Sequence, residues 1–337
     1  MKIIPTLNIM EKPSEYETVI KRFVETNTDS YLRCCVTKRE NKDFIDCINT
    51  MQNIHRKLTG SNFKLMIDIS APKDKIRIVF SDGAKQKEVN AGDKVFLTNK
   101  LNFNEYEDGV VIFVNYDLTL ITSKDVIIGN GDLLLQEVIR SDDAIIYNCL
   151  NNSIIKSSQA ISASCGFIQK SDVAIEGKCL DLVKELKPEC VALSYIENRE
   201  DLLNIKSKIK NVCGYMPELM AKIETVRGCE NINEIICEAD SIMIARGCLG
   251  LNAGSELLFY QDLILNTCKE KKKEIYIASN IMRSLKSSVW PMRSEFCDAA
   301  YILKSGYKNL IITDKYCVTE NFKFLVRFLK DLDNIYK

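Results

Sequence analysis

Eight short apolar runs, set apart by longer amphipathic segments, constrain this chain more than any other feature. The runs are KIIPTL, SYLRCCV, FKLMIDIS, CVALSYI, ELMAKIE, SIMIAR, EIYIAS and NLIITD. Helix-like segments lie between and after them: SEYETVIKRFVET, NKDFIDCINTMQNIHRKL, KCLDLVKELK, NREDLLNIKSKI, CENINEIICEA, SELLFYQDLILNTCKEKK, RSEFCDAAYILKSG and TENFKFLVRFLKDLDNIY. In the last of these, Phe322, Leu325, Phe328 and Leu329 recur at helical spacing. Such alternation is the signature of βα units. From about Lys73 to about Ser164 the pattern breaks into short β-rich pieces separated by SDG, NAGD, YEDG, GNGD and CLNN, which are turn signals. The expected fold is α/β: a (β/α)8 TIM barrel over 1–72 and 166–337, with a small all-β barrel inserted as a lid over 73–165.

Composition excludes several function classes. Lys plus Arg and Asp plus Glu balance at 46 each, so no basic excess points to nucleic acid or an anionic membrane. The N-terminal segment has no apolar signal core, and no window approaches the eighteen apolar residues of a membrane span. A cytoplasmic chain is expected. Its 14 cysteines contain no C-x-x-C pair and accompany a single histidine, His55, so neither a zinc site nor a disulfide framework is expected. Most cysteines read as small buried hydrophobes, and His55 as a packing residue of a helix.

Barrel enzymes build their sites at the C-terminal ends of the strands. That rule selects Arg33, Asp68, Lys222, Glu224, Arg246 to Cys248, and Ser279. Lys222 and Glu224 are two residues apart on one strand, so both side chains point the same way. A carboxylate there can hold a hard divalent cation, and an ammonium can neutralise a transferring phosphoryl group. The alternative is a plain ion pair along the strand. Ala245 to Gly250 reads as a glycine-containing turn whose N–H groups suit an anion. Arg33 can clamp a phosphate with two parallel hydrogen bonds.

These stretches carry a family resemblance. LMAKIETVRGCENINEIICEADSIMIARGCLGLNAG resembles the heart of pyruvate kinase, where Lys-Ile-Glu is followed about twenty residues later by Ala-Arg-Gly-Asp-Leu-Gly. IASNIM, WPMRSEFCDAAY, YLRCCVTK, MIDISAP and IIGNGDLLLQ resemble other segments of that family, so the likeness covers nearly the whole chain. It implies phosphoryl transfer from phosphoenolpyruvate to ADP, giving pyruvate and ATP in glycolysis, with Mg²⁺ and K⁺. By position, Lys222 would stabilise the transferring phosphoryl and Glu224 would bind Mg²⁺. Arg33 would contact phosphate and nucleotide, and Ser279 would stand near the enolate. Backbone around Gly247 and Cys248 would receive the substrate carboxylate. Asp68 and Thr37 would be oxygen ligands of K⁺, and Lys38 with either Lys75 or Arg77 would face the nucleotide.

The departures from the family gather at the same site. Cys248 stands where the second Mg²⁺ carboxylate belongs, and a soft thiol suits that hard ion poorly. Cys35 and Ile69 replace an asparagine and a threonine of the K⁺ site, Lys38 replaces a histidine, and Gly129-Asn130 replaces the acidic pair of the lid. The family's C-terminal domain, with its sugar-phosphate site, is expected to be missing. The leading expectation is a pyruvate-kinase-like chain with weakened or lost Mg²⁺ and doubtful K⁺, weak or inactive alone. It would form a homo- or hetero-oligomer, as subunit or partner of an active paralogue. The alternatives are a minimal active pyruvate kinase without allostery, and a sensor of phosphorylated acids. Arg293, Glu295 and Asp298 match a helix that forms a subunit contact in the family, which implies a dimer or tetramer.

Overall fold

The structure is a computed structural model. It describes residues 1–7, 15–26, 30–36, 40–69, 76–80, 82–100, 109–129, 131–163, 177–312 and 320–336. The chain groups into two compact units, one over Met1–Pro72, Val173–Arg246 and Leu258–Lys337, the other over Lys73–Asp172 and Gly247–Leu257.

The first unit is a closed barrel of eight parallel strands. In chain order they are β1 (Lys2–Leu7), β2 (Leu32–Cys35) and β3 (Leu65–Ile69), then, after the inserted strands β4 to β13, β14 (Cys190–Leu193), β15 (Glu218–Ile223), β16 (Ser241–Ala245), β17 (Glu274–Ala278) and β18 (Asn309–Ile312). All eight apolar runs are therefore barrel strands, closed by pairing of β1 with β18 at Ile3 and Leu310. The helices are α1 (Tyr16–Glu25), α2 (Asn41–Thr59), α3 (Gly177–Leu186), α4 (Arg199–Cys213), α5 (Val226–Glu230), α6 (Ile232–Glu238), α7 (Arg246–Ala253), α8 (Leu257–Glu270), α9 (Arg293–Ser305) and α10 (Asn321–Ile335). The expected single helix over CENINEIICEA is split in two at Asn231.

The barrel interior is filled by Ile4, Met66, Cys190, Ala192, Met220, Met243, Tyr276, Ala278 and Ile311. Side chains along a strand alternate between faces. Residues two beyond an interior position therefore face the same lumen, one layer nearer the mouth. Thr6, Asp68, Ser194 and Lys222 stand in that relation to Ile4, Met66, Ala192 and Met220. The polar layer of the candidate site is thus the top of the apolar stack.

One expectation is corrected. The run after β16, read as a glycine-containing turn, opens helix α7 at Arg246. Leu249 and Ala253, four residues apart, are its buried residues. That apolar stripe outweighs the helix penalty of Gly247 and Gly250, about 1 kcal/mol each. A short aromatic cluster joins Trp290, just before α9, to Phe296 of α9 and Phe324 and Phe328 of α10, with ring centroids 5.1 to 6.1 Å apart. Trp290 is 60% exposed, and Val289 and Met292 beside it are exposed as well. His55 packs between Phe23 and Phe63 and bonds the Ser61 carbonyl through Nδ1.

The second unit carries the ten inserted strands, β4 (Ile76–Arg77), β5 (Val79–Phe80), β6 (Gln86–Val89), β7 (Lys94–Thr98), β8 (Val110–Phe113), β9 (Asp125–Ile128), β10 (Leu133–Arg140), β11 (Ala144–Cys149), β12 (Ser153–Lys156) and β13 (Ala160–Ala163). They form one eight-stranded sheet, ordered β4-β13-β9-β10-β11-β7-β8-β5, and a two-stranded sheet of β12 and β6. The unit has its own core, built around Val95, Leu97, Val126, Ile128, Leu135 and Tyr147. No helix among the described residues is long and apolar enough to cross a membrane.

Candidate functional site

Four charged side chains meet at the mouth of the barrel unit. Arg33 lies on β2 and Asp68 on its neighbour β3, and their registers place Arg33 opposite Met66 and Cys35 opposite Asp68. Arg33 donates from Nε and Nη2 to Asp68 Oδ2, at 2.9 and 2.6 Å, and from Nη1 to Thr6 Oγ1 at 2.7 Å. Lys222 donates from Nζ to Asp68 Oδ1 at 2.9 Å and to Ser194 Oγ at 2.8 Å. Glu224 Oε1 lies 3.9 Å from the same ammonium, and Glu224 Oε2 accepts from the Tyr195 N–H at 2.9 Å. Side-chain exposure is 11% for Arg33, 9% for Lys222, 6% for Asp68 and 5% for Glu224. These charges are therefore out of bulk water, where their interactions are strongest.

Burial alone would strip these groups of charge, but their mutual attraction wins. Burial pulls the Lys222 ammonium down, yet Asp68 and Glu224 hold its pKa above the ordinary lysine value. The Arg33 guanidinium is likewise opposed by burial and raised by Cys35, Asp68 and Glu224. Burial pushes the Asp68 carboxyl up, and Lys222 and Arg33 more than reverse this, leaving it lowered. Arg33, Lys222 and Asp68 are thus each held in their charged forms at neutral pH. Three of the five N–H donors of Arg33 and two of the three of Lys222 are used in these contacts. That leaves two and one donors for an anion at the mouth.

The loops around this layer are held by local chemistry. Thr225 caps α5 by accepting from the Gly228 N–H at 3.2 Å and donates to Glu197 Oε1 at 3.0 Å. A Cβ at Gly228 would stand 2.8 Å from the Ile196 carbonyl, so only glycine lets α5 start directly after Glu224. Tyr195, Ser279 and Asn280 have positive φ (53, 80 and 58°) in the segments after β14 and β17. Each costs an L-residue on the order of 1–2 kcal/mol, and such strain gathers at functional sites.

Ser279, expected near the reaction centre, gives its carbonyl to Arg246 Nη2 at 2.8 Å. Arg246 also makes a forked pair with Asp298 at 2.6 and 2.9 Å, while its Nε is buried without a partner among the described residues. Gly247 and Cys248 lie in the first turn of α7 and group with the second unit. Their N–H groups are among those a helix start leaves without intrahelical partners. Arg77 lies on β4 of the second unit and donates to the Ser158 carbonyl. Glu295, expected on a subunit-contact helix, closes a capping box at the start of α9 and accepts from the Ser284 N–H. Thr37, Lys38, Lys75 and Asn130 lie outside the described residues.

Among the described residues, no group of three or more His, Cys, Asp and Glu side chains is arranged to hold a metal ion. Asp68 is engaged by two cations, so Glu224 Oε1 is the carboxylate oxygen of this layer least committed to protein partners. Thr6, Ser194 and Tyr195 were missing from the residues picked in the sequence. The strand-end rule applied to KIIPTL and CVALSYI would have found the first two.

Comparison with known proteins agrees with this architecture. The family described as pyruvate kinase, barrel domain, matches residues 2–313. The pyruvate kinase of Agaricus bisporus is 24% identical over 312 residues, covering 90% of this chain and 56% of that protein. That of Methanocaldococcus jannaschii is 26% identical over 289 residues, covering 83% of this chain and 59% of that one. The chain thus spans between half and two thirds of the length of these curated relatives. The crystal structure of a pyruvate kinase from Cryptosporidium parvum superposes with a TM-score of 0.82 at 20% identity, covering 98% of this chain and 68% of that one.

Proposed function

The chain belongs to the pyruvate kinase family, and from that premise we propose that its barrel mouth binds a phosphorylated carboxylic acid of the phosphoenolpyruvate type while transferring the phosphoryl group weakly or not at all by itself. The carrying observation is the buried Arg33–Asp68–Lys222 arrangement, whose two cations stay charged and keep donors toward the mouth. In this reading Lys222 and Arg33 neutralise the phosphoryl group, and Asp68 and Ser194 hold them in place. Glu224 is the remaining acidic group of the layer.

The family's Mg²⁺ would need several hard oxygen ligands in near-octahedral array. The residues present do not fit it. One oxygen of Glu224 is bonded to the Tyr195 N–H, the other lies 3.9 Å from an ammonium, and the second metal position of the motif is the thiol of Cys248. The K⁺ set is equally depleted, since Asp68 is bonded to two cations and Cys35 offers sulfur. Electrostatic stabilisation supplies most of the rate in phosphoryl transfer, so losing a metal carboxylate costs orders of magnitude. A role as subunit or partner of an active relative then accounts for an anion site kept without its metal ligands.

The second reading, a minimal active pyruvate kinase, is favoured by the pairing of Lys222 with Glu224 and Asp68. Turnover of phosphoenolpyruvate with ADP, under Mg²⁺ and then Mn²⁺, decides between them when run beside Cys248→Asp. The proposed reading expects an inert wild type, thermal stabilisation by phosphoenolpyruvate, and a gain in rate in the variant. Brisk wild-type turnover would establish the second reading. Absence of any thermal shift would remove the acid-binding role.

A further inference from the structure

The opposite end of the barrel holds a second cationic opening. A cavity of about 360 Å³ lies where β1, β17 and β18 begin, and its lining includes Lys2, Lys269, Lys273, Glu274, Gly306 and Lys308. That volume falls in the range of small-ligand sites, about 300–1,000 Å³. Lys2 pairs with Glu274 at 2.8 Å, and Lys308 with Asp333 at 3.2 Å. Lys269 and Lys273 have no carboxylate within ion-pair distance among the described residues. Each is moored by one hydrogen bond to a backbone carbonyl: Lys269 Nζ to Ser305 at 2.8 Å, and Lys273 Nζ to Ala239 at 2.7 Å. Those carbonyls stand at the C-terminal ends of α9 and α6, where the helix dipole favours a cation.

Capping two helices uses one donor of each ammonium and leaves two. Both charges are thus positioned by backbone and uncompensated by acid. Gly306 ends α9 with φ +100°, a backbone conformation that L side chains rarely adopt. Glu274 pairs with Lys2, and Asp333 is shared by Lys308 and the Met1 α-ammonium at 3.7 Å, so Lys269 and Lys273 remain as a surplus of two ammonium groups without an ion-pair partner among the described residues. A monoanion would not match that surplus, whereas a chain of linked phosphates presents several charges to lysines that arrive from different elements.

We infer that the N-terminal end of the barrel is a binding site for a small polyphosphate anion, held by Lys269 and Lys273 with Lys2 and Lys308 at the rim. The bland alternative is a solvated stabilising face with two capping lysines. The probe is inorganic tripolyphosphate, titrated calorimetrically into the full chain at low ionic strength, where charge interactions reach about 30 Å. One tripolyphosphate per chain is expected, with orthophosphate weaker. Lys269→Gln and Lys273→Gln should each weaken binding on the order of tenfold, the worth of one charge-assisted hydrogen bond. Lys210→Gln on α4 should leave it unchanged. A wild type that gives no saturable heat overturns the proposal, whatever the variants do. So does binding that survives both lysine substitutions, or binding that Lys222→Met abolishes, since the anion would then sit at the barrel mouth.

Discussion

Replacing Asp68 by Asn tests the site most directly, because one carboxylate holds two buried cations. Each contact, at 2.6 to 2.9 Å, is a Coulomb attraction of about 6 kcal/mol at an effective dielectric near 20. Most of that is offset by the cost of taking three charges out of water. What remains visible is the cost of breaking the set. Arg33 and Lys222 would stay buried and charged with Glu224 as the nearest carboxylate, 3.9 Å from the ammonium. Breaking a buried pair from one side costs about 3–5 kcal/mol. At about 2–4 °C per kcal/mol for sizeable domains, Tm should fall by about 6–20 °C. Circular dichroism melts of wild type and Asp68→Asn at neutral pH measure this. Inorganic phosphate should then raise the Tm of the variant more than that of the wild type, since it replaces the lost negative charge. A fall under about 3 °C would refute the reasoning, because the cations would have to be far better solvated than their burial allows.

Acid dependence follows from the same residue. The Asp68 carboxyl is held below its ordinary value of 3.8 in the folded chain. Its contribution is therefore complete above about pH 3.8, where the unfolded chain is also ionised, and is lost as pH falls through the lower folded value. The Tm gap between wild type and Asp68→Asn should be constant from pH 7 to about 5 and close below pH 3.8. Elsewhere, the exposed Lys187, just past α3, has φ +45° and sends its N–H to the Val183 carbonyl. Lys187→Gly should stabilise the chain by about 0.5–1 kcal/mol in a denaturant titration, because glycine adopts that backbone without strain.

The barrel was legible because each of its strands is a compact apolar run, and the closed ring of pairs uses all eight. The polar layer was partly legible. Arg33, Asp68, Lys222 and Glu224 announce themselves by charge in apolar surroundings, and their contacts bring them together. Ser194 and Thr6 carry no such contrast and emerge only when the lumen-facing period is followed one step beyond Ala192 and Ile4. Helix α7 was hidden because its two glycines look like a turn, while the stripe that decides the matter is only Leu249 and Ala253. The lysines at the far end were hidden for a different reason. Lys2, the Lys269–Lys273 pair and Lys308 come from three separate stretches, and no window of sequence shows all four as neighbours.

Trp290 is the chain's single tryptophan, and it stands largely in water against Phe296 and Phe324. Intrinsic fluorescence excited at the indole therefore watches one patch at the start of α9 and on α10 rather than the interior. Its emission should already be red-shifted in the folded protein and change little on unfolding, which makes it a poor melting signal. The same placement makes it a sensitive optical label for anything that settles on that patch, since covering the ring would shift its emission to the blue with no dye attached.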